Sequence, residues 1–444
     1  MASSASARRP SSPVRERTLY EGTKGMGALF RCEKYTDFPG LNPICARGVF
    51  PVSFSLSSIF SCRGTLSLMP EHFFITGGTG NVGLQLLPRI LRKFPGSSIT
   101  LLVRGANETE AADRIHNIAE TVIRDEGIPD AASRLRGVRG DVMRENCGLP
   151  PSLLAKVIEE TTYIVHGAAT IRFDHPLEEA REINCGGTRH MLAVAEQCVT
   201  KGCLKRFVYI GTSSVSGQRE GIIREDELEM GQTFFNTYEH SKCESERIVR
   251  DHFPRIPAVI FRPSIIVGDS RTGRTRSFNV IYIPLRLLSR GLLHFIPGTR
   301  ETRLDLVPID WVDDVMVHIM GLERSVGKVC HVTAGPDRAA RLGDVVEGAV
   351  AYFAAHAPSR RPIEIRFVTS EEFDRRRHMA RGAEEALLAQ LDTLLPYVGI
   401  ERLFVSETSD ALLEGSGIVF PRYAEYDEKI LSYCLRTNWG KKPA

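Results

Sequence analysis

Residues 76–83 of this chain read Thr76-Gly77-Gly78-Thr79-Gly80-Asn81-Val82-Gly83, directly after an apolar run at 72–76 and before a helical pattern at 84–93. A glycine triplet by itself also occurs in plain turns. Between a strand and a helix, however, glycines allow a tight turn and let backbone N–H groups approach a pyrophosphate at a helix N-terminus. The stretch therefore predicts a dinucleotide-binding loop. The candidate cofactor-binding residues here are Thr76, Gly77, Thr79, Gly80, Asn81, Val82 and Gly83.

The chain beyond this loop alternates short apolar runs with longer helical stretches. The apolar runs fall at 72–76, 98–103, 163–166, 206–210 and 258–262. Strands separated by helices indicate βαβ units and a parallel sheet. The predicted fold class is α/β, a Rossmann-type doubly wound parallel sheet with a smaller, mostly helical C-terminal substrate region.

Three regions are expected along the chain: 1–68, 69–335 and 336–444. Residues 1–68 contain eleven serines, nine Lys+Arg and four Asp+Glu without a regular period. We read them as a disordered leader or a non-native extension before Met69, with organelle targeting as the alternative. Residues 69–335 are expected to form the NADP-binding catalytic domain, and 336–444 a substrate-binding or lid region. Thr369 has capping-box spacing before a helix expected to run to about 395.

The composition excludes several classes of protein. The chain has 444 residues, 57 Lys+Arg against 54 Asp+Glu and 42% hydrophobic residues, which is ordinary globular composition. No stripe of basic and aromatic residues predicts nucleic-acid binding. No apolar run of about 18 residues predicts a transmembrane span. The ten cysteines form no C-x-x-C pair, so neither a metal site nor a disulfide framework is expected. The expected compartment is the cytoplasm.

Two further strand ends bear on the choice of cofactor. The second strand ends at Arg104, where an acidic residue would bind a ribose 2′-hydroxyl and an Arg instead suits a 2′-phosphate. We therefore expect NADP(H) rather than NAD(H), with a solvated surface Arg as the alternative. Asp141 and Val142 end another predicted strand, where the carboxylate either accepts a hydrogen bond from the adenine amino group or caps a helix.

Tyr238 and Lys242 supply the strongest chemical signal. Residues i and i+4 share one face of a helix, and an ammonium beside a phenol lowers the tyrosine pKa toward a useful range. The pattern alone is common on half-buried helices. Its weight comes from Thr212, which follows the strand 206–210 at the sheet edge where ligands of open α/β sheets bind.

With these residues in place, the chain resembles the extended short-chain dehydrogenases/reductases over roughly 71–335. Within that family it is most similar to the fatty acyl-CoA reductase and thioester reductase branch. The shared motifs are the glycine loop 76–83, His166-Gly167-Ala168-Ala169, Asn184-Cys185-Gly186-Gly187-Thr188, Tyr238-Glu239-His240-Ser241-Lys242, Arg262-Pro263-Ser264 and the run 304–312. Cys243 and the last hundred residues depart from the branch, which leaves the substrate open.

The resemblance implies a role for each matching residue. Thr212 would bind the substrate carbonyl, with Ser213 as the substitute if the register is shifted by one. Tyr238 would donate a proton, and Lys242 would hold the nicotinamide ribose. Asn184 would support a proton-relay water or simply cap a helix. The remaining residues implied to lie along the cofactor are Ala168, Ala169, Pro263 and Ser264.

The function that follows is NADPH-dependent reduction of an acyl-CoA or a carrier-protein thioester to an aldehyde, with further reduction to an alcohol left open. Residues 285–296 are expected to help line the acyl channel. The alternative is an alcohol or hydroxysteroid-type dehydrogenase, or a nucleotide-sugar epimerase or dehydratase of the same fold. A non-catalytic cofactor sensor is a further reading. The oligomeric state is left open.

Overall fold

The computed structural model describes residues 70–442 apart from 203, 358–363 and 394. The predicted leader 1–68 lies outside the described residues, and so does Met69. Within the described residues the elements follow the predicted alternation of strands and helices.

The β-strands, numbered in chain order, have the following bounds. They are β1 His72–Thr76, β2 Ser98–Val103, β3 Leu135–Arg139, β4 Tyr163–His166, β5 Arg206–Ile210, β6 Gly221–Ile223, β7 Ala258–Pro263, β8 Ile265–Val267, β9 Phe295–Pro297, β10 Arg303–Leu304, β11 Leu306–Pro308, β12 Lys328–Val332, β13 Ala340–Arg341, β14 Arg366–Val368 and β15 Arg402–Phe404.

The α-helices are numbered in the same way. They are α1 Asn81–Lys93, α2 Glu108–Glu126, α3 Ala131–Arg134, α4 Pro151–Glu160, α5 Leu177–Arg181, α6 Gly187–Lys201, α7 Thr237–Asp251, α8 Tyr282–Ser289, α9 Ile309–Met320, α10 Leu342–His356, α11 Ser370–Met379, α12 Ala383–Ala389, α13 Leu395–Val398, α14 Glu407–Leu413 and α15 Asp427–Arg436. A π-helical turn, Glu182–Gly186, joins α5 to α6.

Seven strands form one parallel sheet in the order β12-β7-β5-β4-β1-β2-β3. The chain order reverses between β1 and β4, whose last residues Thr76 and His166 are register partners. In open α/β sheets, ligands bind outside the carboxyl ends of the strands at such a reversal point. The predicted Rossmann-type sheet is confirmed, and the switch point places the glycine loop at the expected ligand site.

Both faces of the sheet are covered, which explains why its strands read as continuous apolar runs. In β1, Phe73 and Ile75 pack into one core, whereas Phe74 packs into the core on the opposite face. Helices α1 and α9 cover the first face, and α6 and α7 cover the second. The five predicted apolar runs therefore coincide with central strands.

The C-terminal part shares its core with earlier segments of the chain. Side chains from 265–306 and from 342–439 belong to one hydrophobic cluster. Three short parallel pairs (β11 with β8, β14 with β9, β15 with β6) and the antiparallel pair of β10 with β13 join the remaining strands. The described residues between 336 and 442 therefore pack against earlier parts of the chain, through several strand pairs and a shared core, rather than forming a separate core.

Two sequence predictions in this part are wrong in detail. Thr369 does cap α11, since its hydroxyl accepts from the Glu372 N–H at 3.2 Å, but the helix ends at Met379 instead of near 395. Gly382, with φ of +64°, breaks the helical path before α12 begins. The segment 285–296, expected to line an acyl channel, instead packs into the core. Its aliphatic side chains and those of helix α10 enclose a cavity of only about 10 Å³.

Candidate active site

The backbone of the glycine loop is packed so tightly that Gly77 and Gly83 leave no room for a Cβ atom. Gly77 has φ of +74°, and a Cβ on it would lie 2.6 Å from the carbonyl carbon of Gly167. A Cβ on Gly83 would lie 2.3 Å from the Gly77 oxygen. Gly80 donates its N–H to that same oxygen at 2.9 Å and precedes the first residue of α1. The loop therefore seats α1 directly against the end of β1.

The N-terminus of α1 has the features of an anion-binding site. Gly80 is its N-cap residue and supplies no side-chain hydrogen bond, and the first turn contains no acidic residue. The first N–H groups of a helix lack partners within the helix and carry a partial positive charge. A Cβ on Gly80 would meet only the Gly77 oxygen, at 3.2 Å, so the space beyond is left open by glycine. These features fit the pyrophosphate of a dinucleotide.

A cleft of about 730 Å³ extends from this helix terminus along the strand ends; we call it the cofactor cleft. All fourteen predicted cofactor-binding residues line it. They are Thr76, Gly77, Thr79, Gly80, Asn81, Val82, Gly83, Arg104, Asp141, Val142, Ala168, Ala169, Pro263 and Ser264. The structure thus brings together residues that are spread over almost 190 positions of sequence.

Local hydrogen bonds explain several of these positions. The Thr76 hydroxyl accepts from the Ala168 N–H at 3.3 Å and is 2.8 Å from Nδ1 of His166, which ties β1 to the segment after β4. Burial lowers the pKa of His166 to about 3, so the ring is neutral and structural. The Asp141 carboxylate accepts a hydrogen bond from the Met143 N–H at 3.0 Å. This bond stabilises a local turn, so Asp141 does not cap a helix.

Arg114 was missed by sequence reasoning and lines the cleft beside Arg104. Its guanidinium donates to the Arg104 carbonyl at 2.9 Å and to Glu110 at 3.0 Å. It lies in the first half of α2, the helix that follows β2 and Arg104. Two arginines ten residues apart, one after a strand and one within the next helix, form no motif that can be recognised in a single sequence. Only the fold shows that Arg104 and Arg114 lie together.

Thr212, Tyr238 and Lys242 line the same cleft. Thr212 follows β5 and starts a single 3₁₀ turn, where its hydroxyl oxygen accepts from the Ser214 N–H at 3.2 Å. Tyr238 lies in the first turn of α7, which Asn236 caps through the Glu239 N–H at 2.9 Å. The Thr212 and Tyr238 side chains are hydrogen-bonded to each other. Two hydroxyls therefore converge on one point of the cleft.

The expected lowering of the Tyr238 pKa by Lys242 is not what the structure shows. Burial raises the pKa of the Tyr238 phenol, and the Thr212 hydrogen bond only partly opposes that effect. The Lys242 ammonium instead donates to the Ile210 carbonyl at 2.9 Å and lies 4.2 Å from the centre of the Tyr209 ring. Burial lowers the pKa of Lys242 itself to about 7.

Asn184 is placed behind the cleft wall and not on it. Its amide oxygen accepts from the Thr170 N–H at 2.8 Å, and its amide nitrogen donates to the Ser241 hydroxyl at 2.9 Å. The side chain is 2% exposed. Asn184 thereby fastens the loop 167–172 to helix α7, so the geometry supports a positioning role, and the relay role stays a prediction.

A second, smaller space adjoins the turn that follows Thr212. We call it the side chamber; its volume is about 20 Å³, and Ser213, Ser214, Ser264, Arg303, Tyr397 and Arg402 are among its walls. Ser213, the predicted substitute for Thr212, faces this chamber, whereas Thr212 faces the cofactor cleft. Sequence reasoning missed Tyr397 and Arg402, because the short elements α13 and β15 have no period of their own.

Fold and site together define an NAD(P)-binding protein of the short-chain dehydrogenase/reductase type. Residues 75–316, more than half of the chain, match the family model described as male sterility protein, an NAD-binding domain. The chain therefore belongs to this family, which confirms the branch inferred from its motifs.

Individual relatives agree with that assignment. Two proteins of Drosophila melanogaster are similar: one is 27% identical over 60% of this chain and 56% of its own length. The other, fatty acyl-CoA reductase wat, is 25% identical over 53% of this chain and 51% of its own length. The chain thus spans about half the length of these curated relatives.

Among solved structures, the terminal R domain from the myxalamid PKS-NRPS biosynthetic pathway superposes with a TM-score of 0.71. It is 26% identical, and the match covers 85% of this chain and 94% of that domain. The reductase domain of a nonribosomal peptide synthetase from Mycobacterium tuberculosis shares the fold, with a TM-score of 0.63 and 19% identity over 84% of this chain and 93% of that domain.

Within the described part of the chain, none of the helices has both the length and the apolar character that a bilayer crossing requires. The expected cytoplasmic location stays a prediction.

Proposed function

We propose that this chain reduces an acyl thioester, carried by CoA or by a carrier protein, to an aldehyde with NADPH. The observation that supports the proposal most is the convergence of Thr212 and Tyr238 in the cleft that begins at the uncapped terminus of α1. One wall suits a dinucleotide, and the opposite wall holds two hydroxyls for a carbonyl oxygen. The similarity to a fatty acyl-CoA reductase and to an R domain supports the thioester as substrate.

The protein residues would act on the oxygen of the substrate carbonyl. Bound NADPH supplies the hydride that reaches the carbonyl carbon. The Thr212 hydroxyl, which shares a hydrogen bond with the Tyr238 side chain, would turn its O–H to the substrate oxygen when the carbonyl binds between them. Tyr238 donates a proton to that oxygen as negative charge develops, which is the stabilisation an oxyanion site provides.

The sulfur leaves in a second step. Tyr238 takes back the hydroxyl proton of the hemithioacetal, the C–S bond breaks, and the thiolate takes one proton from solvent. The balance is thioester plus NADPH plus one proton, giving aldehyde, thiol and NADP⁺. A second round on the aldehyde would yield an alcohol; whether it occurs belongs to the test below.

Preference for NADP(H) is part of the proposal. Arg104 and Arg114 both line the cleft at the end of β2, where the adenosine ribose of a dinucleotide lies in this type of fold. Guanidinium groups form charge-assisted pairs with a phosphate, whereas NAD(H) offers only a hydroxyl at the same point. The two arginines therefore favour the cofactor with a 2′-phosphate.

The test follows NADPH absorbance and aldehyde formation with acyl-CoA thioesters of increasing chain length. Wild type is expected to consume NADPH, and Tyr238→Phe to lose at least about a hundredfold in kcat, as general-acid removal does. Tyr352→Phe, on helix α10 away from both cavities, is the matched control. No reduction of any CoA- or carrier-bound thioester would contradict the proposal, and tightly retained NAD would favour the epimerase or dehydratase alternative.

A further inference from the structure

Ser264 and Arg104 lie on opposite sides of the helix terminus that would take the pyrophosphate. In the sheet order β12-β7-β5-β4-β1-β2-β3, Arg104 follows β2 and Ser264 follows β7, and both line the cofactor cleft. A dinucleotide with its adenosine at β2 therefore extends its nicotinamide half over β5 and β7. Thr212 follows β5 at that end of the cleft. Ser264 is thus a neighbour of the ring that would deliver the hydride.

The Ser264 hydroxyl is bound to the carboxylate of Asp305. It donates to Oδ1 of Asp305 at 2.5 Å. The pairing of β11 with β8 places Asp305 there, and at its start the Ile265 N–H donates to the Asp305 carbonyl at 3.2 Å. Oδ1 also accepts from the Ala334 N–H at 2.7 Å, and Oδ2 accepts from the Gly335 N–H at 3.1 Å. Asp305 therefore joins the chain after β7 to the chain after β12.

This arrangement determines which partner of the pair is the donor. An ionised carboxylate only accepts hydrogen bonds, and a serine hydroxyl has one proton to donate. Burial raises the pKa of Asp305, and the hydrogen bonds from Ser264 and from the backbone of residues 334 and 335 oppose that effect. The Ser264 proton is therefore committed to Asp305. The Ser264 oxygen is left as a group that can only accept a hydrogen bond from a ligand in the cleft.

Resting on the proposed function, we infer that the Ser264 oxygen accepts a hydrogen bond from the carboxamide N–H of the bound nicotinamide, and that Asp305 is the positioning residue that keeps this oxygen an acceptor. On the nicotinamide ring, only the carboxamide carries N–H donors. Rotating the ring by half a turn about its glycosidic bond moves the carboxamide away from Ser264 and presents the other face of C4. The pair of Ser264 and Asp305 therefore favours one face of the ring for hydride transfer.

The experiment measures binding to the full chain by isothermal titration calorimetry with three probes: NADP⁺, its 3-acetylpyridine analogue and 2′-phospho-ADP-ribose. The analogue keeps the ring carbonyl and replaces the NH₂ by a methyl group, whereas the third probe lacks the nicotinamide. Wild type is expected to bind NADP⁺ at least about fivefold more tightly than the analogue, as one lost hydrogen bond predicts. Ser264→Ala should reduce that ratio several-fold and keep the affinity for 2′-phospho-ADP-ribose within about twofold of wild type.

Further variants separate the contact from a general loss of structure. Asp305→Ala frees the Ser264 proton and should also reduce the ratio, but not in the Ser264→Ala background, because Asp305 acts through that hydroxyl. If Asp305→Ala does not fold, the analogue still tests the direction of the bond, since a Ser264 that donated to the ring carbonyl would bind both probes alike. Ser216→Ala is the matched control, because Ser216 is a buried serine after Thr212 that lines neither cavity, and its ratio should equal that of wild type.

The outcomes separate this inference from the proposed function. Equal affinity of wild type for NADP⁺ and the analogue would overturn the inference. An unchanged ratio in Ser264→Ala would also overturn it, even with weaker binding of both probes, since the oxygen would then contact the ribose. A wild type that binds all three probes as expected but reduces no thioester would contradict the proposed function and leave the Ser264 contact standing. If wild type binds none of the probes, both fail.

Discussion

Replacing Gly83 and Gly80 by alanine, one at a time, separates the packing of the glycine loop from its binding function. A Cβ at position 83 would approach three backbone atoms of Gly77 and Gly78 at 2.3–2.9 Å. Relieving that overlap costs about 1–3 kcal/mol for overpacking, and displacing the Gly77 carbonyl weakens its hydrogen bond from Gly80 by about 1 kcal/mol. Alanine returns up to about 1 kcal/mol of helix propensity. The net loss of unfolding free energy is therefore about 1–3 kcal/mol.

Position 80 differs because its Cβ has one neighbour within 4 Å, the Gly77 oxygen at 3.2 Å, and otherwise projects into the cofactor cleft. Gly80→Ala should change the unfolding free energy by less than about 1 kcal/mol and still weaken NADPH binding at least tenfold. Urea unfolding and fluorescence titration with NADPH measure both quantities on both variants. A fully stable Gly83→Ala, or wild-type NADPH affinity in Gly80→Ala, would refute the reasoning.

Three further predictions concern single side chains. Arg104→Ala should raise the KM for NADPH about tenfold and leave that for NADH nearly unchanged, which steady-state kinetics with both cofactors would measure; equal effects would argue against a 2′-phosphate contact. Buried Lys242, whose pKa is lowered from 10.5 to about 7, binds more protons unfolded than folded between those values. Between pH 7.5 and 9.0 the unfolding free energy without cofactor should therefore gain up to roughly 2 kcal/mol relative to that of Lys242→Met, because the buried thiols that also titrate on unfolding are the same in both proteins. Urea unfolding at both pH values measures this difference, and an unchanged difference would count against burial as the cause. Asn184→Ala should lower the unfolding free energy by about 1–3 kcal/mol, because it leaves the Thr170 N–H unpaired. If Asn184 only positions this loop, the solvent isotope effect on kcat should equal that of wild type; a changed isotope effect would indicate a proton relay.

The sheet and the cofactor cleft could be predicted because their signals are local. The apolar runs of central parallel strands are continuous, and the glycine loop is short enough for its spacing to carry the geometry. Tyr238 and Lys242 share one helix, so their alignment also follows from sequence. The predicted residues that come from such elements line the cleft, and their roles stay predictions.

The rest of the site depends on contacts between distant segments. Arg402 reaches the chamber only because the three-residue strand β15 pairs with β6, which lies about 180 positions earlier. The sequence of 402–404 contains no signal that predicts this pairing. The predicted lowering of the Tyr238 pKa by Lys242 was wrong for a related reason, since the Lys242 ammonium is held by the Ile210 carbonyl of strand β5, which lies far away in the sequence. Residues 285–296 were expected to help line an acyl channel, although their aliphatic side chains suit a packed core equally well.

The central claim is that this cleft moves a hydride from NADPH to the carbonyl carbon of a thioester, with Tyr238 as the proton donor. The most direct measurement is the mass of the trapped aldehyde formed from an acyl-CoA and NADPH deuterated at C4, first on one face and then on the other. The account predicts one deuterium on the aldehyde carbon with one of the two cofactors, none with the other, and little product of either kind from Tyr238→Phe. Unlabelled aldehyde from both cofactors, or full activity in the variant, would contradict it.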